Sequence, residues 1–259
     1  MIDFHNHVIP NIDDGAKNMD VAFEMLAKAF YDGTKTVVNT VHFQHPSVKT
    51  FDKDKNFIFD QKKKLEDLIA KNNINVDLLL KAEVFYKPNL PRLIDNELLI
   101  VKEKYMLIEF NPIVIPDEHE EVLYKLQLEG IIPIIAHPER YRSIQNNIKN
   151  AQRWIDLGYF LQINAGSIIG KSGKSAKKTS LNLLKNGFCH LIGSDAHNNG
   201  NRNFYLKDAL GVVESKFGVN NKEIIIRNSE RLLIGEDLKT INSQKKDSFF
   251  DSIKKMFNK

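Results

Sequence analysis

Short runs of β-branched and apolar residues alternate with longer segments of helical periodicity along almost the whole chain. The predicted strands cover residues 1–5, 36–40, 78–82, 106–110, 132–136, 160–164 and 190–193. The predicted helices cover residues 20–31, 60–71, 118–129, 151–157, 175–186, 203–217 and 220–230. Strands that alternate with helices in this way form parallel pairs, so the order predicts an α/β fold with one parallel sheet.

Glycines mark the ends of four predicted helices. Gly33, Gly130, Gly158 and Gly187 each follow a helical pattern and precede the next strand by a few residues, as glycines do just past a helix end. About seven such units follow one another without a reversal. This repetition favours a closed barrel over an open, doubly wound sheet.

The length of the chain is typical of one barrel domain. A chain of 259 residues could form one large or two ordinary domains, and α/β barrels often use this length as a single unit. We assign residues 1–238 to the barrel and 239–259 to a charged C-terminal tail or outer helix. In that tail Phe250, Ile253 and Met256 recur at helical spacing among lysines. Such a basic amphipathic segment can bind a membrane surface or a partner, but we favour an outer helix or a loose tail.

Composition limits the cellular setting. The charges are mixed, with 37 Lys+Arg against 33 Asp+Glu, so the modest positive excess neither requires nor forbids an acidic partner. The single cysteine, Cys189, rules out an intrachain disulfide and fits a reducing compartment. No signal-peptide pattern occurs, and no apolar run approaches about 18 residues. We expect a soluble, cytoplasmic protein without stable membrane insertion.

Residues of metal-ligand type follow six of the seven predicted strands. These residues are His5, His7, His42, Glu83, Glu109, His137, Asp195 and His197. The carboxyl ends of parallel strands share one edge of a barrel, where active-site residues are found. A carboxylate that follows an apolar strand is costly to bury unless it is paired or bound to metal, and imidazole is a common ligand of first-row metals. The pattern therefore predicts a metal site at this edge.

The loop after the first strand adds two further carboxylates. Asp13 and Asp14 follow the pair His5 and His7, whose spacing places both rings on one side of a strand. Asp14 is a candidate further ligand, and Asp13 could equally be one. The alternative is that the two residues form a turn before the next helix.

Three segments carry a specific resemblance to a known family. They are D-F-H-N-H-V-I-P-N-I-D-D-G-A from residue 3, A-H-P-E-R-Y from residue 136 and G-S-D-A-H-N from residue 193. Over roughly residues 1–234 the chain resembles the polymerase and histidinol phosphatase (PHP) superfamily. Within it, the chain is most similar to the manganese-dependent protein tyrosine phosphatases of bacterial capsule and exopolysaccharide loci, the CpsB/YwqE type.

This resemblance implies a distorted (β/α)7 barrel, a TIM-like PHP fold, with a three-metal Mn²⁺ centre at the C-terminal ends of the strands. The implied ligands are His5, His7, Glu83 and Asp195 for one ion, Glu83, Glu109 and His137 for a second, and Asp14, His42 and His197 for a third. Arg140 and Arg202 match arginines that bind the phosphate in this family. Fe, Co or Zn are possible substitutes, because sites of histidine and carboxylate accept several first-row metals.

The expected chemistry is hydrolysis of a phosphate monoester. Two or three divalent ions can convert a bridging water to hydroxide and hold a phosphoryl group for in-line displacement. Arginine matches phosphate oxygens with two parallel hydrogen bonds, so we expect Arg140 and Arg202 to serve as catalytic and substrate-binding residues. Tyrosine, with a pKa of about 10, leaves as phenolate without a strong general acid.

A cysteine mechanism of tyrosine dephosphorylation is excluded. It needs the motif Cys-x5-Arg, and Asp195, not an arginine, stands six residues beyond Cys189.

The predicted enzyme is therefore a metal-dependent protein tyrosine phosphatase. Its implied partner is the phosphotyrosine-bearing tail of a bacterial tyrosine kinase that controls capsule or exopolysaccharide synthesis. A small-molecule phosphatase of the histidinol phosphatase type and a metal-dependent nuclease are the alternatives. Lysines at 62–64 and 171–178 could contact nucleic acid, but we favour solvated helix faces and expect no nucleic-acid partner. A metal-dependent amidohydrolase fits less well, since the sixth strand ends Gln162-Ile163-Asn164 without a histidine.

Three further histidines stand outside the predicted ligand set. His45 either lines the substrate mouth or is a solvated loop residue, and we favour the loop. His119 begins a predicted helix and His190 lies in a predicted strand. We expect structural roles for both of these.

Overall fold

The computed structural model describes residues 1–48 and 55–243, and its described strands form one parallel sheet. In sequence order they are β1 (Ile2–Asn6), β2 (Thr36–Phe43), β3 (Asp77–Phe85), β4 (Tyr105–Glu109), β5 (Ile132–Ala136), β6 (Phe160–Asn164) and β7 (Leu191–Gly193). Each strand pairs with the next one in the sequence. This order leaves only β1 and β7 to meet.

The sheet closes where β1 runs past the end of β7. The Asp195 N–H donates to the His5 carbonyl at 2.7 Å, and the His7 N–H donates to the Ala196 carbonyl at 2.8 Å. The buried Asp3 carboxylate on β1 accepts from the Ser194 N–H at 3.1 Å. The predicted α/β barrel of seven strands is thereby confirmed.

Helices lie between most of the strands, and the last two helices follow β7. The helices are α1 (Met19–Tyr31), α2 (Lys55–Lys71), α3 (His119–Leu128), α4 (Arg142–Asn146), α5 (Lys149–Asp156), α6 (Ala165–Ile169), α7 (Lys174–Lys185), α8 (Leu206–Phe217) and α9 (Val219–Ile234). Two short 3₁₀ turns, Leu90–Arg92 and Pro138–Arg140, add to them. The four glycines predicted at helix ends all have positive φ, between 81° and 93°, as a left-handed helix terminus requires. No helix of the described part is long and apolar enough to cross a membrane.

Several predicted boundaries were wrong. Strands β2 and β3 continue past the predicted ends because they pair in register as far as Phe43 and Val84. His42 and Glu83 therefore lie opposite each other inside the sheet instead of just beyond it. His190 was predicted inside a strand but precedes β7 by one residue.

The two ends of the barrel interior differ in polarity. The amino end is filled by one apolar cluster that includes Phe4, Val38, Leu107, Ile134, Leu191, Leu232 and Leu238. The last two come from α9 and the segment after it, which also accepts a 2.7 Å hydrogen bond from the Tyr105 hydroxyl at the Glu236 carbonyl. Because side chains alternate along a strand, Glu109 lies on the same side of β4 as Leu107, one step nearer the carboxyl end.

The C-terminal assignment is described only in part. Ile241 is buried in the core, and the Asn228 amide on α9 donates to the Lys239 carbonyl at 2.7 Å. The remainder of the predicted tail, residues 244–259, lies outside the described residues.

Candidate metal centre

The carboxyl end of the barrel gathers the predicted ligands around the carboxylate of Glu83. Its Oε2 atom lies 3.1 Å from His5 Nε2 and 3.3 Å from His7 Nε2. Asp195 Oδ1 lies 3.7 Å from each of the same two nitrogens. All four side chains are buried, so β1, β3 and the end of β7 place imidazole and carboxylate atoms face to face.

The other oxygen of Glu83 extends the cluster toward β4 and β5. His137 Nε2 lies 3.0 Å from Glu83 Oε1 and 3.5 Å from Glu109 Oε1. His42 Nδ1 lies 3.3 Å from Glu83 Oε2 and 3.7 Å from Glu109 Oε2. Glu83 Oε2 therefore faces nitrogen atoms of His5, His7 and His42, whereas Glu83 Oε1 faces His137.

Asp14 completes a third group on the solvent side. Its Oδ1 atom lies 3.3 Å from His42 Nε2 and 3.3 Å from His197 Nε2. One donor atom from each of His7, Asp14, His42 and His197 can be chosen so that all lie within 4.8 Å of one another. Asp14 is half exposed while the three histidines are buried, so this group faces the mouth of the barrel.

The structure distinguishes the two neighbouring aspartates. Asp13 Oδ2 lies 2.9 Å from His7 Nδ1, on the side of the ring away from Glu83, and it also accepts from the His42 N–H at 3.3 Å. Gly15 permits the tight turn, because a Cβ there would lie 2.0 Å from the His7 carbonyl oxygen. Asp13 therefore orients His7 from behind, as carboxylates commonly do for metal-binding histidines, while Asp14 faces the cluster.

Two cluster residues have a backbone conformation that residues other than glycine adopt infrequently. His137 has φ of 35° and Asp195 has φ of 51°. A positive φ in residues with a Cβ costs free energy and is often found where function fixes a side-chain direction. His137 stands directly after β5 and Asp195 two residues after β7, where the chain turns both side chains toward the cluster.

These residues fit a group of divalent cations. Among the buried atoms that face one another in the cluster, five make no hydrogen bond with any described residue, namely His5 Nε2, His7 Nε2, His42 Nδ1, Glu83 Oε2 and Glu109 Oε2. Leaving a buried polar atom without a partner costs about 1–3 kcal/mol, and here these atoms point at one another. Imidazole nitrogens and carboxylate oxygens in this arrangement are the donors that first-row metals accept. The assignment of individual ligands to individual ions stays a prediction.

The charges in the cluster perturb one another strongly. Burial and the negative charge of Glu83 raise the pKa of Glu109 above its ordinary value. Burial lowers the pKa of His5, but the nearby charges of Glu83 and Asp195 outweigh it and raise that pKa to about 9. Burial and Arg140 lower the pKa of His137 to about 4. Such opposed shifts within one cavity are typical of functional sites.

The two predicted arginines meet at Asp195. Arg140 Nη1 donates to Asp195 Oδ2 at 3.1 Å, and Arg202 Nη2 lies 3.1 Å from both carboxylate oxygens. Burial raises the pKa of Asp195, but Arg202 and its other cationic neighbours outweigh this and hold that pKa well below its ordinary value. Both guanidinium groups are partly exposed and line a cavity of about 300 Å³ together with Asn164 and Ser194. An anionic group entering this cavity would meet both arginines.

His45 lies at the mouth of the site and not on a solvated loop. Its ring centroid is 4.8 Å from that of His42, and its Nε2 atom is 3.7 Å from Glu109 Oε2. The Phe85 ring packs edge-on against it at 5.0 Å. Of the two interpretations of His45, the structure supports the one that we did not favour.

The remaining histidines and the cysteine have structural contacts. His119 Nε2 accepts from the Trp154 indole N–H at 3.0 Å. His190 Nδ1 accepts from the Leu161 N–H at 3.1 Å, and burial lowers the pKa of His190 to about 4. Cys189 is fully buried, which raises the pKa of its thiol. The two histidines therefore match the structural roles expected for them.

The contribution of β6 to the site was not predicted from the sequence. Gln162 Oε1 lies 2.5 Å from His5 Nδ1, and the Asn164 amide donates to Asp195 Oδ2 at 2.7 Å. Both residues are buried. The available signal was the presence of two amides at alternate positions of a buried strand, since such positions share one face.

Fold and site together define a class of protein: a parallel α/β barrel whose carboxyl end holds a buried cluster of histidines and carboxylates suited to several cations. The family model described as "Capsular polysaccharide synthesis, CpsB/CapC" matches residues 1–234. The chain belongs to this CpsB/CapC family.

Individual relatives agree with this assignment. Tyrosine-protein phosphatase YwqE of Bacillus subtilis is 36% identical over 235 residues, covering 90% of this chain and 91% of the relative. Tyrosine-protein phosphatase CpsB of Streptococcus pneumoniae is 29% identical over 248 residues, covering 91% and 99%. A chain from the crystal structures of YwqE and CpsB, described as unique metal-dependent tyrosine phosphatases, superposes with a TM-score of 0.86 at 32% identity, covering 95% of this chain and 100% of that one.

Proposed function

We propose that this protein is a metal-dependent protein tyrosine phosphatase that hydrolyses phosphotyrosine on a bacterial tyrosine kinase controlling capsule or exopolysaccharide synthesis. The observation that carries the proposal is the convergence on Glu83 and Asp195 of imidazole donors, with two partly exposed arginines at the same carboxylate. The imidazole and carboxylate donors suit cations, and the two arginines suit phosphate. The family description and the names of the relatives agree with this chemistry.

The chain offers ligands for three ions. The proposed sets are His5, His7, Glu83 and Asp195; Glu83, Glu109 and His137; and Asp14, His42 and His197. We propose Mn²⁺ as the native metal, with Fe, Co and Zn as possible substitutes, because this donor set accepts each of them. When bound, such ions activate water as a nucleophile and neutralise charge on the phosphoryl group.

Arg140 and Arg202 bind and orient the phosphate in this proposal. Each presents N–H donors from the rim of the cavity and is already within 3.1 Å of Asp195. A guanidinium group can make two parallel hydrogen bonds to phosphate oxygens. Two of them on one side of the cavity fix the orientation of the monoester and stabilise negative charge that develops during transfer.

The leaving group explains a preference for aryl phosphates. A tyrosine side chain, with a pKa of about 10, can depart as phenolate without taking up a proton first. A serine or threonine alkoxide is far more basic and would need a general acid. His45 and Phe85 stand beside Glu109 at the mouth, where they can contact the tyrosine ring.

The test combines metal analysis with a panel of substrates. Protein purified without chelator is analysed for bound metal and assayed on a phosphotyrosine peptide from a kinase tail, on histidinol phosphate and on a DNA phosphodiester. We expect bound first-row metal and fastest turnover of the peptide. Faster turnover of histidinol phosphate would favour the small-molecule phosphatase, and cleavage of DNA would favour the nuclease.

A matched pair of variants separates the site from the fold. His137→Ala removes a cluster residue, whereas His119→Ala removes a histidine that contacts Trp154 outside the cluster. We expect the first variant to lose turnover and the second to retain it. Equal activity of the two variants on the phosphotyrosine peptide would overturn the proposed site.

A further inference from the structure

Strand β6 contributes no predicted ligand, yet two of its side chains connect two residues of the cluster. Gln162 Oε1 lies 2.5 Å from His5 Nδ1, and Gln162 Nε2 donates to Asn164 Oδ1 at 3.1 Å. Asn164 Nδ2 in turn donates to Asp195 Oδ2 at 2.7 Å. An unbroken chain of hydrogen bonds therefore runs from Asp195 through two amides to His5, and all four residues are buried.

The donor and acceptor order of these hydrogen bonds is fixed at the Asp195 end. Two arginines lie 3.1 Å from that carboxylate, so it is ionised and can only accept hydrogen bonds. Asn164 must turn its NH₂ group toward it and its carbonyl oxygen toward Gln162. Gln162 must then give its NH₂ group to Asn164, which leaves its carbonyl oxygen for His5.

A carbonyl oxygen at 2.5 Å requires a proton on the ring nitrogen that faces it. The Nδ1 atom of His5 therefore carries its proton toward Gln162. In the neutral ring the Nε2 atom then holds the lone pair, and that atom faces Glu83 and Asp195 at 3.1 and 3.7 Å. The opposite tautomer of His5 would require the side-chain amides of Gln162 and Asn164 to be flipped. The flipped Asn164 would place its carbonyl oxygen against the Asp195 carboxylate.

We propose that Gln162 and Asn164 are positioning residues, an amide relay through which Asp195 sets the tautomer and ring orientation of His5. The relay ties together two residues that the proposed function assigns to the same ion. It acts through His5 and Asp195 and does not touch the substrate. The backbone holds it in place, because the Asn164 N–H donates to the buried Glu139 carboxylate at 3.2 Å.

This inference rests on the proposed metal centre, so its test measures metal binding separately from catalysis. The dissociation constant of Mn²⁺ is determined by competition with a chelator for the wild type, Gln162→Met, Asn164→Leu and the double variant. Interactions that orient metal-binding residues typically contribute about 10- to 100-fold to affinity, and we expect losses of that size from each single variant.

Two controls represent a purely structural effect. Gln127→Met removes an amide that donates to the Leu157 carbonyl at 2.9 Å on the outer face of α3. Asn228→Leu removes a buried amide that donates to the carbonyls of His190 and Lys239. We expect both controls to lower thermal stability while they leave the affinity of the folded protein for Mn²⁺ unchanged.

The double variant tests whether the relay acts as a unit. Breaking the chain at either amide removes the same restraint, so the double variant should lose about as much affinity as one single variant and not the product of both losses. In the Zn²⁺-loaded wild type the His5 Nδ1 proton should exchange slowly in NMR spectra, and in Gln162→Met it should exchange rapidly.

The outcomes separate the relay from the metal centre. A wild type that binds no metal would overturn the proposed function itself. A wild type that binds Mn²⁺ with relay variants of equal affinity, or an Asn228→Leu control that loses as much affinity as Asn164→Leu, would overturn the relay alone. If Gln162→Met does not fold, Asn164→Leu decides between the same two results.

Discussion

The two ends of the barrel interior are built from the same strands but hold opposite kinds of side chain. At the amino end Leu107 packs in an apolar cluster closed by Leu232 of α9. Two residues further along the same strand, Glu109 faces buried histidines and has an oxygen without a hydrogen bond to any described residue. The amino end removes apolar surface from water, which is favourable, and the carboxyl end buries charge, which is costly.

This difference assigns stability and function to separate ends of one sheet. Apolar packing at the amino end stabilises the barrel enough to hold a polar cluster that is costly to bury. The loops after the strands can then carry chemical groups without contributing to the core, as in other barrels. We therefore expect substitutions at the carboxyl end to lower activity with little loss of stability. Substitutions at the amino end should lower stability with little loss of activity.

The largest expected effect comes from removing a histidine at the carboxyl end. His42→Ala or His137→Ala should lower turnover of a phosphotyrosine peptide by about two orders of magnitude or more, because metal-dependent activation of water loses a ligand. For His137→Ala the thermal unfolding temperature of the metal-free protein should stay close to that of the wild type, since burial lowers the pKa of His137 and the variant removes a costly buried group. Near-normal hydrolysis would contradict the assignment.

The second largest effect comes from truncation at the amino end. Leu232→Ala leaves a cavity in the apolar cluster and should lower the free energy of unfolding by about 2–5 kcal/mol. Turnover and Mn²⁺ affinity of the folded protein should remain at the wild-type level, as measured well below the unfolding temperature. A selective loss of metal affinity would show that the two ends are not independent.

A third effect concerns pH. Burial lowers the pKa of His5 and of His42, but neighbouring carboxylates outweigh it and raise these pKa values to about 9 and about 10 in the metal-free protein. A group whose pKa is raised in the folded state stabilises that state fully at pH values below its ordinary pKa. This stabilisation is lost as the pH rises toward the pKa that the group has in the folded state. From about pH 6.5 to about pH 8.5 each of the two histidines should cost the metal-free protein about 2 kcal/mol of stability, or about 4 kcal/mol together.

Metal binding should respond to pH in the opposite direction, because cations bind deprotonated imidazole. Urea unfolding of the metal-free and Mn²⁺-loaded protein across this range measures both trends. A metal-free protein whose stability rises with pH would contradict the charge balance described for the cluster.

The smallest effect should come from replacing one positively charged side chain with another at the rim of the cavity. Arg140→Lys keeps the positive charge but loses the two-pronged hydrogen bonding of the guanidinium group. We expect KM for the phosphotyrosine peptide to rise about tenfold with a smaller change in kcat, as for a residue that mainly captures phosphate. A matched Arg142→Lys variant, on α4 just beyond the site, should leave both constants unchanged. A large fall in kcat with an unchanged KM would show that Arg140 acts on the transition state and not mainly on phosphate capture.

Much of the fold was predictable because its signals are local. Strand and helix patterns, together with glycines at helix ends, indicated the order of units that the structure confirms. Helices α4 and α6 were missed because five residues are too few to show helical periodicity. The ends of β2 and β3 were placed too early because their length depends on pairing between His42 and Glu83, which local patterns do not encode.

The site was predictable where the type of a residue and its place after a strand are enough to indicate a metal ligand. Histidines and acids directly after apolar strands identified the residues that the structure brings together. The roles of Asp13 and Gln162 could not be predicted, since each depends on a hydrogen bond to a histidine ring whose orientation only the folded chain defines. His45 was misjudged for the same reason, because its position beside His42 follows from the turn after β2.

The most direct test of the account is anomalous diffraction at the manganese edge from crystals grown with Mn²⁺. We expect strong peaks inside the cluster, each within bonding distance of atoms from Glu83, Asp195 or Asp14 and their neighbouring histidines. Crystals that contain Mn²⁺ but show no anomalous peak at the carboxyl end of the barrel would contradict the claim that these residues form one metal centre.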